Sequence, residues 1–385
     1  MTDTDTKALL PAGLRDLLPP AAAFEASVVE TLVSHFAAFG YDRVKPPLIE
    51  FEESLLAGTG AATAMQTFRV MDPVSQRMLG VRADITVQIA RIATTRLKKE
   101  PRPLRLSYAG QVLRVKGSQL RPERQFSQAG IELIGADTPA ADAEAIVLMA
   151  TALKAAGIDH LSVDLNLPTL VPTVCDDLGL TSEARAEARR ALDQKDAAAV
   201  AALGGRAADI LGALLKAAGT AEGAMAALEA VALPAAAAAE RDRLAQVLDL
   251  VRADLPDLTL TVDPVENRGF EYHTGVSFSI FAKGARGELG RGGRYMAGLG
   301  NGHGFEPAVG GTLFLDVVLS VAPRPQGRRR VYVPAGAVLA ERAALAEAGW
   351  VVVAGLQPVT DVRAEAARLR CGHVWAAGTV EEIAS

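Results

Sequence analysis

The sequence contains little cysteine, no long apolar run and no excess of basic residues. Its only cysteines, Cys175 and Cys371, lie far apart, which excludes a disulfide framework and a cysteine-rich zinc site and fits a reducing compartment. No apolar stretch is long enough to cross a membrane, and the first residues are too polar and acidic for a signal peptide. We therefore expect a cytoplasmic protein with no membrane contact, metal site or cofactor.

The charge balance argues against a protein that binds nucleic acid through its overall field. The formal net charge is −5, so there is no global positive potential. Basic residues nevertheless cluster between Arg91 and Arg124. Such a cluster fits either an RNA contact or an ordinary charged or partner-binding face, and the acidic total favours the second interpretation.

Composition along the chain predicts two domains and an insertion. A length of 385 residues is too great for a single core. Alanine-rich helical patterns fill residues 167–255, which we interpret as a helical insertion into a core of residues 1–322. Residues 323–330 are rich in proline, glycine and arginine and indicate a linker. After them the patterns alternate β-α-β-α-β and predict a small α/β domain over residues 323–385.

The stretch Ser107–Gly135 predicts two strands joined by a long basic loop. Hairpin loops usually contain about two to five residues, so a loop of this length and charge suggests a function. Gln128 and Glu132 lie an even number of positions apart on the returning strand and therefore share one face. With Arg114 from the outgoing strand they are candidates to line a pocket. The alternative is a surface hairpin with a solvated charged tip.

A second polar group occurs where a predicted strand changes to a helix, in the segment Val81–Thr86. Asp84 or Thr86 is expected to cap the helix by accepting from its first amides, which leaves the other free to face a ligand. Farther along, His273 begins another predicted strand, and a lone histidine is more often structural than catalytic.

Two glycine-rich segments are predicted as turns. They are Gly290–Tyr295 and the first half of Pro307–Val318, whose second half predicts an apolar helix. In the first segment the glycines would allow the backbone to approach a small molecule closely.

Several of these motifs occur in the order found in histidyl-tRNA synthetases, and that order makes the resemblance specific. The segments that carry it are Pro11–Pro20, Phe39–Glu50, Val81–Thr86, Arg124–Glu132, Arg268–Gly275 and Gly292–Tyr295. The resemblance spans residues 10–319, interrupted by a helical insertion that the family also carries. It implies an α+β fold with a class II aminoacyl-tRNA synthetase-like core, in which helices flank an antiparallel sheet. It also implies a dimer formed across the segment around Pro47.

By the same resemblance the chain carries a histidine pocket and no catalytic residue. The implied pocket residues are Asp84, Thr86, Arg114, Gln128, Glu132, Arg268, Tyr272, His273 and Tyr295. Asp84, in place of the family's glutamate, would pair with the α-ammonium group, Glu132 would face the imidazole and Arg268 would take the carboxylate. Tyr272 and Tyr295 would close the pocket. His273 departs from the family, which has a second tyrosine there.

Two further departures fall on residues that bind ATP in the family. Two positions after its motif 2 arginine the family has a glutamate, where this chain has Lys116. The glutamate–arginine pair of motif 3 is Asp316 followed by Val317. A valine cannot neutralise a phosphate, so a cation needed for adenylation is missing. The C-terminal domain is also shorter than the anticodon-binding domain of the family.

A histidine pocket without the groups that bind ATP resembles the synthetase paralogues that serve as regulatory subunits of ATP phosphoribosyltransferase. That resemblance implies a non-catalytic subunit for the first step of histidine biosynthesis. It would be required by a short-form catalytic subunit for activity and for feedback inhibition, with L-histidine as the allosteric ligand and no tRNA. The implied assembly is a homodimer within a hetero-octamer. The alternatives are an active histidyl-tRNA synthetase and another amino-acid-sensing or RNA-binding paralogue.

Overall fold

The chain folds into two compact units, Met1–Pro323 and Arg324–Ser385. The computed structural model describes residues 9–117, 121–266, 273–298, 304–376 and 378–383. Each unit has hydrophobic clusters of its own. Within the described ranges, no helix combines the length and the apolar character that crossing a membrane requires.

The larger unit contains a nine-stranded and a three-stranded sheet. Its strands are β1 (Asp42–Arg43), β2 (Ile49–Phe51), β3 (Phe68–Met71), β4 (Met78–Val81), β5 (Leu104–Leu113), β6 (Gln125–Ile134), β7 (Leu161–Asn166), β8 (Gly219–Thr220), β9 (Thr259–Asp263), β10 (His273–Ala282), β11 (Gly290–Ala297) and β12 (Glu306–Phe314). The large sheet has the order β1-β5-β6-β12-β11-β10-β7-β9-β8, and the small one β2-β4-β3. In the large sheet only β1 with β5 and β7 with β9 pair in parallel, so its centre is antiparallel.

Helices cover both faces of the large sheet. They are α1 (Ala21–Ala38), α2 (Glu52–Leu55), a 3-10 helix (Gly58–Gln66), α3 (Thr86–Thr95), α4 (Pro139–Ala155), α5 (Leu170–Asp177), α6 (Ser182–Asp193), α7 (Ala197–Ala202), α8 (Gly205–Lys216), α9 (Ala221–Glu229), α10 (Ala235–Asp254) and α11 (Leu315–Val321). In α1 the buried residues Val28, Leu32 and Phe36 recur every fourth position, so one apolar face packs on the core. Helices α5 to α10 lie between β7 and β9 and form the segment predicted as an insertion.

The predicted hairpin is present as β5 and β6, which pair in register from Leu104 opposite Ile134 to Leu113 opposite Gln125. Residues 114–124 connect the two strands. Strand β6 continues into the middle of the sheet, where β12 covers its other edge. It is buried from Phe126 to Ile134, so any polar side chain on it must find partners inside the protein.

The prediction of two glycine-rich turns is wrong. Gly290–Tyr295 lies within β11 and Pro307–Gly311 within β12, and these strands pair along their length. The glycines serve close strand contact, because a Cβ added at Gly292 would overlap the carbonyl oxygen of Gly310. The apolar helix predicted after the second segment is present as α11.

The smaller unit is an α/β sheet with one strand more than predicted. Its elements are β13 (Arg330–Val333), α12 (Leu339–Glu347), β14 (Val351–Ala354), α13 (Val362–Arg368), β15 (His373–Ala376) and β16 (Thr379–Glu382). The order is β14-β13-β15-β16, with the first three strands parallel and the last antiparallel. The additional β16 is short and has no apolar alternation by which the sequence could indicate it.

Candidate functional site

A cleft opens where β6, β10, β11 and β12 meet the turn before α3. It measures about 370 Å³ including the part open to solvent, and its lining residues are Asp84, Thr86, Glu132, His273, Arg291, Gly292, Gly293, Tyr295, Gly310, Gly311, Thr312 and Phe314. Glycines make the room in this cleft. A Cβ at Gly310 would overlap the carboxylate of Glu132, and one at Gly293 would lie against Ser277 and His273.

Glu132 is the most unusual group in the cleft. It is 1% exposed, and the Tyr295 hydroxyl donates to its Oε2 at 2.8 Å. Its Oε1 is buried and has no hydrogen-bond partner in the described part of the chain. Burial raises the pKa of Glu132 to about 8, and the nearby negative charge of Asp84 adds to the rise while the hydrogen bond from Tyr295 opposes it. An orphaned carboxylate oxygen facing a cleft indicates a ligand that brings a donor.

Asp84 both caps α3 and lines the cleft, so the two roles considered for the turn are combined in one residue. Its Oδ1 accepts from the backbone N–H of Thr86 at 2.9 Å, and its Oδ2 accepts from Nε2 of Gln128 at 3.1 Å. Gln128 is fully buried and does not line the cleft. Its Oε1 accepts from the Ile85 backbone at 3.2 Å. Gln128 therefore fixes the orientation of the Asp84 carboxylate.

The hydroxyl groups of Thr86, Tyr108 and Thr312 form a hydrogen-bonded chain along one wall of the cleft. Of these three residues, the sequence analysis predicts only Thr86 as a site residue. Tyr108 is hydrogen-bonded to Thr312 at 2.6 Å and to Thr86 at 3.1 Å, and the two threonines are 3.4 Å apart. Tyr108 lies on β5 and is fully buried, and its hydroxyl supports the site through these two hydrogen bonds. Thr312 belongs to the glycine-rich segment that was predicted to begin with a turn.

Guanidinium groups gather beside the cleft, around the ring of Phe314. Arg121 and Arg291 lie over this ring at 4.0 and 5.5 Å, and Glu288 pairs with them at 3.3 and 3.7 Å. Arg291 lines the cleft, whereas the predicted Arg114 does not. The Arg114 guanidinium lies 4.8 Å from the Phe126 ring centre. Burial lowers the pKa of Arg114, and the negative charge of Asp84 opposes that shift.

His273 and Tyr295 are the remaining predicted residues that the structure brings to the cleft. Burial, with a contribution from Arg291, lowers the pKa of His273 to about 4, so its imidazole is neutral at physiological pH. Arg268 and Tyr272 lie outside the described residues. Of the nine predicted residues, Asp84, Thr86, Glu132, His273 and Tyr295 line one cleft.

Comparison with known proteins gives the family. A profile of the histidyl-tRNA synthetase family matches residues 13–318. A Paramagnetospirillum magneticum protein named ATP phosphoribosyltransferase regulatory subunit is 62% identical over 97% of both chains. A Gluconobacter oxydans protein of the same name is 46% identical over 99% of both chains. The chain belongs to the family of ATP phosphoribosyltransferase regulatory subunits.

Solved structures agree with membership of the regulatory-subunit family. A Bacillus halodurans protein described as an ATP phosphoribosyltransferase regulatory subunit/histidyl-tRNA synthetase is 25% identical, with a TM-score of 0.81 and coverage of 94% of this chain and 96% of its own. Histidyl-tRNA synthetase from Nostoc shares the fold with a TM-score of 0.79 at 18% identity, over 97% of this chain and 92% of its own. The predicted class II synthetase-like fold is thereby confirmed, and the regulatory family is favoured over an active synthetase.

Position 317, where the resemblance places a phosphate-binding arginine in the synthetases, is apolar in this chain. Val317 lies in α11 and packs partly buried against the hydrophobic clusters. Burial raises the pKa of the preceding Asp316, and Arg121 opposes the shift. Phe314, 1% exposed, lines the cleft beside α11. The side chain at position 317 therefore offers no positive charge to a triphosphate.

Glu132→Gln should change how the protein's stability depends on pH. Because the folded pKa lies above the unfolded value, the folded state binds more protons than the unfolded chain between about pH 4.5 and 8. Glu132 therefore costs stability as the pH rises through this window, by up to about 1.4 kcal/mol per pH unit. We expect the unfolding free energy of the variant, relative to wild type, to rise from about pH 5 to 8 in denaturant titrations.

Glu144→Gln is the matched control. Glu144 also accepts from a tyrosine hydroxyl, that of Tyr41 at 2.8 Å, but it pairs with Arg105 and does not line the cleft. The hydrogen bond from Arg105 lowers the pKa of Glu144, so this carboxylate contributes stability above its unfolded pKa and loses it in acid. Its replacement should therefore destabilise most at neutral pH. A parallel response of the two variants to pH would contradict the account of Glu132.

Proposed function

We propose that the chain is the non-catalytic regulatory subunit that a short-form ATP phosphoribosyltransferase catalytic subunit needs for activity and for feedback inhibition by L-histidine. The names of relatives that match over nearly the full length support the regulatory role. The lining of the cleft supports the choice of histidine as the ligand. By the resemblance, this chain has Val317 where an adenylating synthetase has a phosphate-binding arginine.

The observation that carries the choice of ligand is the pair of buried carboxylates, Asp84 and Glu132, in one cleft. Histidine brings an α-ammonium group and an imidazole N–H, two donors at opposite ends of a small molecule. The free Oε1 of Glu132 is suited to the imidazole N–H, and Asp84 to the ammonium. For the ligand's carboxylate the family resemblance assigns Arg268.

An exposed apolar surface supports the proposed homodimer. Five large apolar side chains in or beside the small sheet β2-β4-β3 are more than a third exposed: Leu48, Ile49, Val70, Met71 and Met78. Exposed apolar side chains grouped on one element are typical of protein interfaces. This surface lies next to the segment around Pro47, across which the resemblance places the dimer. Assembly with the catalytic subunit into a hetero-octamer, without tRNA, is proposed on the resemblance alone.

Glu132→Gln tests the ligand assignment. The change keeps the shape of the side chain but removes the carboxyl group that can share a proton and a charge with the imidazole. Loss of a charge-assisted hydrogen bond costs about 1.5–3 kcal/mol, so histidine affinity measured by calorimetry should fall roughly ten- to a hundredfold. The control Glu144→Gln should bind like wild type. Equal affinity in all three proteins would show that histidine binds elsewhere, on another surface or on the partner.

A further inference from the structure

We infer that the cleft takes up histidine together with one proton, which the Glu132 carboxylate and the ligand's imidazole hold between them. This inference rests on the proposed function, because it requires histidine to bind in this cleft. The inference goes beyond the proposed function because it makes histidine binding depend on pH, with weaker binding above neutral pH.

The geometry around Glu132 leaves one position for this proton. Tyr295 donates to Oε2 at 2.8 Å, so the second oxygen, Oε1, is the one that remains for the ligand. The strand partner of Glu132 on β12 is Gly310, which carries no side chain to compete for it. On the β5 side, the residue paired with Glu132 is Leu106, whose apolar side chain offers no hydrogen bond. An imidazole at Oε1 would therefore meet an oxygen that has no hydrogen-bond partner among the described residues, near the hydroxyl groups of Thr86 and Tyr108.

Among the described residues that line the cleft, Glu132 is the group that changes charge near neutral pH. From the turn before α3, Asp84 supplies a negative charge, and from β11 Arg291 supplies a positive one. Burial lowers the pKa of His273 on β10 to about 4 and raises that of Tyr108 on β5, so both stay neutral. The residues of β12 that line the cleft are Gly310, Gly311, Thr312 and Phe314, and none of them carries a charge.

Proton counting then gives the direction of the effect. Near pH 7 the empty cleft already holds the proton on Glu132, whose pKa burial raises to about 8, and histidine arrives with a neutral imidazole. Binding there exchanges almost no proton. Near pH 9 the empty carboxylate has lost its proton, so formation of the carboxyl–imidazole pair must take one up from solvent. Affinity should therefore fall by up to about tenfold per pH unit above pH 8.

Calorimetry with L-histidine in two buffers of different ionisation enthalpy measures the proton number directly. At about pH 9 the full-length protein should take up most of one proton per histidine more than Glu132→Gln does, and at about pH 7 the two should differ by almost none. The uptake that remains in Glu132→Gln is that of the ligand's amine, so the difference between the two proteins gives the proton held at Glu132. Tyr295→Phe removes the hydrogen bond that favours the ionised carboxylate, so its proton uptake should begin at higher pH.

The possible failures are distinguishable. Histidine binding at about pH 9 with no more proton uptake than Glu132→Gln shows, or with proton release at about pH 7, would overturn the shared proton and leave the proposed function intact. No binding of histidine at any pH would overturn the proposed function, and this inference with it. Should Glu132→Gln bind too weakly for calorimetry, a rise in the onset pH for Tyr295→Phe supports the inference, and an unchanged onset contradicts it.

Discussion

Histidine-dependent exchange of pyrophosphate into ATP should stay at background with this protein. Adenylation develops negative charge on the phosphates, and the synthetase family places an arginine where this chain has Val317. The valine packs partly buried against the hydrophobic clusters and carries no charge. Loss of such a cation costs several kcal/mol of barrier, about a hundredfold or more in rate, and Lys116 in place of a glutamate removes a further contact to ATP.

A histidyl-tRNA synthetase assayed in parallel is the positive control for this experiment. Radiolabelled pyrophosphate incorporated into ATP is the measured quantity, with and without histidine. Robust exchange that depends on histidine would contradict the regulatory assignment and restore the active synthetase.

The second large effect is expected on the partner. Alone, this chain should form no detectable product from ATP and phosphoribosyl pyrophosphate, because its sequence contains no glycine-rich phosphate loop with adjacent acidic residues. Mixed with the short catalytic subunit, it should raise that subunit's rate from near background to a readily measured value. The formation of product is followed at increasing ratios of this chain to catalytic subunit.

Saturation of the rate at a fixed ratio would identify a stoichiometric complex. Glu144→Gln should activate like wild type, since its side chain does not line the cleft. A catalytic subunit whose rate is indifferent to this chain at every ratio would argue against the regulatory assignment, even if histidine binds.

The hairpin shows how much of the site local pattern can predict. The alternation of apolar residues and the long basic loop indicated β5 and β6, and the even spacing of Gln128 and Glu132 placed them on one face. Their different roles could not be predicted, because they depend on Asp84, which approaches from a distant part of the chain. Asp84 covers Gln128, while Glu132 remains open to the cleft.

The glycine-rich strands show where local pattern fails. Gly290–Tyr295 has no apolar alternation, and its glycines favour a turn when the sequence is considered alone. The reason for these glycines is tertiary: β11 and β12 pair closely, and Gly310 leaves room for the carboxylate of Glu132. Thr312 was missed for the same reason, because its hydroxyl matters only once β12 lies beside Tyr108.

The central claim, that this cleft senses histidine on behalf of a catalytic partner, is tested most directly by titrating the reconstituted complex with histidine. Wild type, Glu132→Gln and Glu144→Gln are compared at equal basal activity, with Arg268→Ala as a second pocket variant suggested by the resemblance. The account predicts that histidine inhibits the wild-type and Glu144→Gln complexes alike, and that Glu132→Gln requires about ten- to a hundredfold more histidine. Superimposable inhibition curves for wild type and Glu132→Gln would contradict it.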